Sequence, residues 1–179
     1  PGMICGNSAP ALLIRSMRLP LVTAAYGPPQ LDCLVRYARR ANLLANLSAR
    51  CRAADAVPTL LADIFEGADL LAQEHARRVR WELTELAPLV AALDCPVVAL
   101  KGAAYLAMGL PSADGRLVSD LDLLVPAEAL HRVERAMRRS GYDTAKQDDY
   151  DQTYYREWMH ELPPMMHQAR GTVVDLHHN

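Results

Sequence analysis

Three short stretches in the second half of the chain carry residue types that can do chemistry together: Lys101-Gly102, Ser119-Asp120-Leu121-Asp122 and Val173-Val174-Asp175-Leu176-His177. Between them they offer three carboxylates, hard oxygen donors of the kind that divalent cations select, and this points to phosphate chemistry. In the run Val118-Ser119-Asp120-Leu121-Asp122-Leu123-Leu124-Val125 apolar residues alternate with acids. A period-2 strand puts Val118, Asp120, Asp122 and Leu124 on one face, so the two acids point the same way. The same alternation aims Asp175 and His177 to one side. If the two strands are neighbours, all three carboxylates can meet, and such a cluster repels itself without a cation.

The elements that must position these groups begin at Pro96, where the pattern turns mixed. A buried strand over 97–100, a helix over 103–108, a loop and a strand over 118–125 are followed by a helix over 127–139 that Gly141 ends. That helix has Leu130, Val133, Ala136 and Met137 as its core stripe, with Arg132, Arg135, Arg138 and Arg139 outward. Two further strands, 161–167 and 172–178, flank Gln168-Ala169-Arg170-Gly171, whose turn chemistry predicts a hairpin. Upstream, apolar residues recur at helical spacing over 31–53, which predicts one amphipathic helix. Pro58 suits the first turn of a second helix, with Leu60, Leu61, Ile64, Phe65, Leu71, Val79, Leu83 and Leu86 as its stripe and a candidate break at Gly67. Residues 1–30, rich in Pro and Gly, read as an irregular or partly helical arm. The organisation expected is therefore an N-terminal arm over 1–30, a helical region over 31–94 and a mixed core over 95–179.

Composition narrows the function classes. With 179 residues, 51% of them hydrophobic, the chain can bury a sizeable core. Its net charge of −2 is unevenly spread, with seven Arg against one Asp in residues 1–52 and eight acids against three Arg in residues 53–100. The Arg faces of the two long helices, Arg36, Arg39, Arg40 and Arg77, Arg78, Arg80, read as solvated surface, and the balanced charge argues against a nucleic-acid partner. Cys5, Cys33, Cys51 and Cys95 form no C-x-x-C pair and read as reduced thiols of a cytoplasmic protein. The apolar stretch 86–110 is interrupted by Asp94, Pro96 and Lys101, so no membrane span is expected. Arg15 and Arg18 likewise interrupt the apolar run 11–22, which argues against a secretory signal. His160, His167, His177 and His178 are spaced for a hairpin rather than for zinc. Tyr150, Tyr154, Tyr155 and Trp158 read as packing residues ahead of a base-stacking platform.

Taken in order, Leu100-Lys101-Gly102-Ala103-Ala104, Gly115-Arg116-Leu117-Val118-Ser119-Asp120-Leu121-Asp122-Leu123-Leu124-Val125 and Arg170-Gly171-Thr172-Val173-Val174-Asp175-Leu176-His177 resemble the bacterial uncharacterised nucleotidyltransferase family of the DNA polymerase β superfamily. Gly141-Tyr142 and His160-Glu161-Leu162-Pro163-Pro164 agree with it, and the resemblance covers residues 97–179. It implies an α+β fold: a nucleotidyltransferase-like small mixed β-sheet flanked by helices, preceded by an α-helical N-terminal region. It also implies a bound nucleoside triphosphate, ATP first among them, and two Mg²⁺ ions. Carried over by position, Asp120 and Asp122 are the paired metal ligands. Asp175 is the third carboxylate, which holds the second metal and helps the acceptor hydroxyl lose its proton. Lys101 and Gly102 stand at the turn that contacts the triphosphate, with Ala103 where related enzymes have a serine. Lys101, or the backbone amides that follow it, would then make the phosphate contact, with Arg116 also near the triphosphate. Ser119 caps the strand or orients a carboxylate, and His177 and His160 support the acids.

The reaction so implied is attack by an acceptor oxygen on the α-phosphorus with pyrophosphate leaving, the acceptor being a small molecule, a peptide or a protein. The alternative is a module that keeps the fold and binds nucleotide or a partner protein without turnover. Superfamily members usually continue into a further helical region beyond the third carboxylate, so the core is expected to be truncated at its C-terminal end.

Overall fold

The computed structural model describes residues 9–144 and 163–179. By its internal contacts the chain divides within one long helix: residues up to Ala76 join Pro111–Leu117 in a first unit, and Arg77–Leu110 join Val118–Asn179 in a second.

The first unit is helical because its apolar residues recur every three or four positions. Helices α1 (Ala9–Arg18), α2 (Pro28–Arg40) and α3 (Leu44–Ala53), with the first half of α4 (Ala62–Ala91), surround a core of Leu13, Leu31, Leu34, Leu47 and Phe65. Pro28 and Pro29 open α2, where a missing N–H costs nothing, and Gln30 Oε1 accepts the Gly27 amide at 3.0 Å. The expected single helix over 31–53 is two helices. Asn42 takes a left-handed backbone conformation (φ 60) between them, which an asparagine tolerates and a helix interior does not. Conversely, α4 runs through Gly67 without a break. One glycine costs a helix only about 1 kcal/mol, and the buried Phe65 and Ala72 hold both sides of it. The described part of the N-terminal arm is largely helical, and Leu13 and Thr23 are buried. Cys33 is disulfide-bonded, which corrects its reading as a reduced thiol, and Cys5 lies outside the described residues. Cys51 and Cys95 are free thiols, and burial pushes the Cys51 thiol up, against a smaller opposing hydrogen bond from Thr23.

The loop Pro111–Leu117 returns to α3, where Asn46 Nδ2 donates to the Asp114 carbonyl at 2.8 Å. Gly115 has φ 69, and a Cβ there would stand 2.4 Å from the backbone carbon and oxygen of Ala45. Only glycine meets both demands.

The second unit is the mixed core. Its elements are β1 (Val98–Ala99), α5 (Lys101–Ala107), β2 (Asp120–Val125), α6 (Leu130–Arg139), β3 (Tyr142–Thr144), β4 (Met165–His167) and β5 (Val173–His178). They form a five-stranded sheet of order β1-β2-β5-β4-β3, in which β2 and β5 are parallel and the other pairs antiparallel. This is the α+β architecture with a small mixed sheet that the sequence led us to expect. The β4–β5 hairpin closes over Gln168–Gly171, with the His167 amide donating to Thr172 O and the Gly171 amide to His167 O, both at 2.8 Å. Residues 163 and 164 precede β4 rather than belonging to it, and 161–162 lie outside the described residues. Strand β3 was not expected. It follows Gly141, whose φ of 91 turns the chain out of α6.

One buried ion pair ties this hairpin to α4. Glu82 is 3% exposed. It accepts hydrogen bonds from Arg170 Nε (2.7 Å) and Nη2 (3.1 Å), Thr172 Oγ1 (2.6 Å) and Tyr142 OH (3.2 Å). Burial alone would raise the Glu82 carboxyl, but those hydrogen bonds and the Arg170 charge outweigh it and hold it below its ordinary value. Burial, with Glu82 as the next cause, pushes the Tyr142 hydroxyl up to about 12. The Arg170 guanidinium also lies over the rings of Trp81 and Tyr142, 5.4 and 5.7 Å from their centroids.

Two outcomes follow from this packing. Gly115→Ala is expected to cost about 2 kcal/mol or more in urea unfolding, from a left-handed alanine and a backbone clash together; a change below about 0.5 kcal/mol would contradict the packing. Glu82→Ala is expected to cost about 3 kcal/mol at neutral pH. Because the folded-state value of Glu82 is depressed, its charged form stabilises the fold above the ordinary glutamate range, and that contribution is lost as pH falls through the folded value. The gap between wild type and Glu82→Ala should therefore narrow below about pH 4, and a gap constant with pH would refute the ion-pair account.

Candidate active site

The parallel pairing of β2 and β5 sets Asp122 directly opposite Asp175, Asp120 opposite Val173 and Leu124 opposite His177. Side chains paired across a parallel ladder share a face, and alternate residues share it along each strand. Asp120, Asp122, Asp175 and His177 therefore occupy one face of the sheet. Leu121, Leu123, Val125, Val174 and Leu176, all buried, occupy the other. Asp122 is 3% exposed, whereas Asp120 and Asp175 are half-buried.

Two cationic or hydrogen-bonding groups meet on Asp122. Lys101 Nζ donates to Asp122 Oδ1 at 2.6 Å, and His177 Nε2 lies 2.9 Å from the same oxygen. The Leu100 amide donates to the Asp122 carbonyl at 2.8 Å, so the backbone just before Lys101 is registered against β2. Ser119 Oγ donates to Asp120 Oδ1 at 3.0 Å. Among the described residues no three His, Cys, Asp or Glu side chains stand in a metal-holding arrangement; Asp122 turns to Lys101 and His177 instead.

The other expected site residues are placed as follows. Gly102 is buried in the first turn of α5, and Ala103 is completely buried, so that position offers no surface to a phosphate. Arg116 is exposed on the loop that belongs to the first unit. His167 serves the hairpin: its Nδ1 accepts the amides of Ala169 (3.2 Å) and Arg170 (3.3 Å), and its ring meets Tyr142 edge-on. His160, Tyr150, Tyr154, Tyr155 and Trp158 lie outside the described residues.

Glu82, and its pairing with Arg170, are not among the features the motifs single out, although a signal is present. Glu82 stands three residues after Val79 and four before Leu86, on the buried stripe of α4, where an unpaired carboxylate is not tolerated. Arg77, Arg78 and Arg80 on α4 are exposed, as the solvated-surface reading expects, and Arg77 and Arg78 line a cavity of about 360 Å³ with Trp81 and Arg170.

Among the described residues no helix is long and apolar enough to cross a membrane. No curated protein and no solved structure matches the chain. The sequence profile of one family does, over residues 28–179, which takes in α2 through β5 and every acid of the carboxylate face. On that match the chain belongs to the uncharacterised nucleotidyltransferase family.

Proposed function

We propose that this protein moves a nucleoside monophosphate from a nucleoside triphosphate, with ATP the first candidate, to a hydroxyl or phosphate oxygen of a small molecule, peptide or protein. The observation that carries the reading is the β2–β5 register, which puts Asp122 opposite Asp175 with Asp120 two residues away on the same face. Three carboxylates so placed are a hard oxygen donor set of the kind that suits Mg²⁺. Asp120, Asp122 and Asp175 would hold it, and bound there it would neutralise charge on the phosphoryl oxygens as the α-phosphorus is attacked.

The remaining work falls to the chain's own groups. Asp175 accepts the proton of the acceptor hydroxyl as the oxygen forms its bond to the α-phosphorus. The bond from that phosphorus to the bridging oxygen breaks, pyrophosphate leaves with the electron pair, and the proton passes to solvent. Lys101, at the junction of β1 and α5, supplies positive charge to the triphosphate, and Ser119 and His177 orient Asp120 and Asp122. Arg116 enters no step of this reading.

A second reading, nucleotide binding without turnover, is favoured by one observation: Asp122 is engaged by Lys101 and His177. Calorimetry with each of the four nucleoside triphosphates in Mg²⁺, on wild type and on the Asp120→Ala, Asp122→Ala double variant, tests the site. Wild type is expected to bind at least one triphosphate only with Mg²⁺, and the double variant to bind it at least about tenfold more weakly, a loss of about 1.4 kcal/mol. Equal binding by both proteins would sink the proposal. Pyrophosphate release in a panel of candidate acceptors, abolished in the double variant, then separates transfer from binding alone.

A further inference from the structure

Lys101 has φ 47. The other non-glycine residues with positive φ among the described residues are Asn42, Asp55 and Asp94, types whose short polar side chains tolerate that region. Lysine does not share that tolerance, and the conformation costs about 1 kcal/mol or more. It accompanies one specific contact. The ammonium sits 2.6 Å from Oδ1 of Asp122, the most buried acid of the carboxylate face.

Three carboxylates on one face of two adjacent strands disfavour one another, and burial makes a charged Asp122 costly without a counter-charge. Lys101 supplies that charge. Its side chain is 60% exposed while that of Asp122 is 5% exposed. The acid is fixed in the sheet, and its counter-ion sits on a long, mostly solvated stem.

We propose that Lys101 is a built-in placeholder for the cation: it neutralises Asp122 while the site lacks Mg²⁺, and cation binding displaces its ammonium from Oδ1. This rests on the reading of the carboxylate face as a cation site. Displacement releases the ammonium toward the polyphosphate that arrives with the cation.

The test is binding of Mn²⁺ alone, without nucleotide, measured by the loss of the free-ion electron paramagnetic resonance signal. The full chain is compared as wild type, Lys101→Met, Lys101→Gly and Asp122→Asn. Removing the competing ammonium is expected to tighten Mn²⁺ binding by up to about fivefold in both Lys101 variants, the scale of a largely exposed ion pair. Lys101→Gly also relieves the left-handed backbone, so it reports on the charge even if Lys101→Met folds poorly. Asp122→Asn should weaken binding strongly. If neither Lys101 variant binds Mn²⁺ more tightly while Asp122→Asn still loses it, the placeholder is overturned and the cation site stands. If no form binds Mn²⁺ saturably, both readings fall.

Discussion

Parallel pairing of β2 with β5 is the constraint on which the rest of the candidate site depends. Backbone hydrogen bonds set the register, and the register places the Asp122 side chain opposite that of Asp175. A slip by one residue would send Asp175 to the side of Val174 and Leu176, into the buried face, where a carboxylate without partners is strongly disfavoured. The apolar residues on the other face therefore enforce the position of the acids. Burial of Leu121, Leu123, Val125, Val174 and Leu176 and the placing of the carboxylates on the opposite face are one choice of register seen from two sides.

Around that pair the structure manages charge by position. On one face, Lys101 and His177 approach Asp122, and Ser119 approaches Asp120. Elsewhere in the same unit, Glu82 gathers Arg170, Thr172 and Tyr142 at the start of β5. The two clusters differ in kind. Glu82 is matched by a guanidinium and two hydroxyls and has the depressed carboxyl of a structural ion pair. Asp122 is met by an ammonium on a stem that is 60% exposed. The first fixes the hairpin that delivers Asp175, and the second sits at the solvated edge of the carboxylate face.

The parts of this arrangement that were legible in the sequence are those decided locally. Alternation over Val118–Val125 reveals the shared direction of Asp120 and Asp122, because strand geometry depends only on neighbouring residues. The same is true of α6, whose stripe of Leu130, Val133 and Met137 is buried as its period requires, and of the turn over Gln168–Gly171. The interruption at Asn42 was obscured because the apolar period continues across it. Strand β3 was hidden because three residues are too short to show a period, and its position at the sheet edge comes from pairing with β4. The return of Pro111–Leu117 to α3 depends on Gly115 meeting Ala45, a contact between residues far apart in the chain.

By itself, then, the sequence determined the chemistry on offer: which residues are acids, which of them share a strand face, and an order of motifs that the match to an uncharacterised nucleotidyltransferase family bears out. The tertiary structure decided which strands are neighbours, that Asp122 faces Asp175, that Lys101 reaches Asp122, and that Glu82 on α4 anchors the hairpin. The physical reason is range. Side-chain direction along a strand or helix follows from dihedral geometry over a few residues, whereas these pairings join positions 21 to 88 residues apart and are chosen by the burial and charge balance of the whole unit.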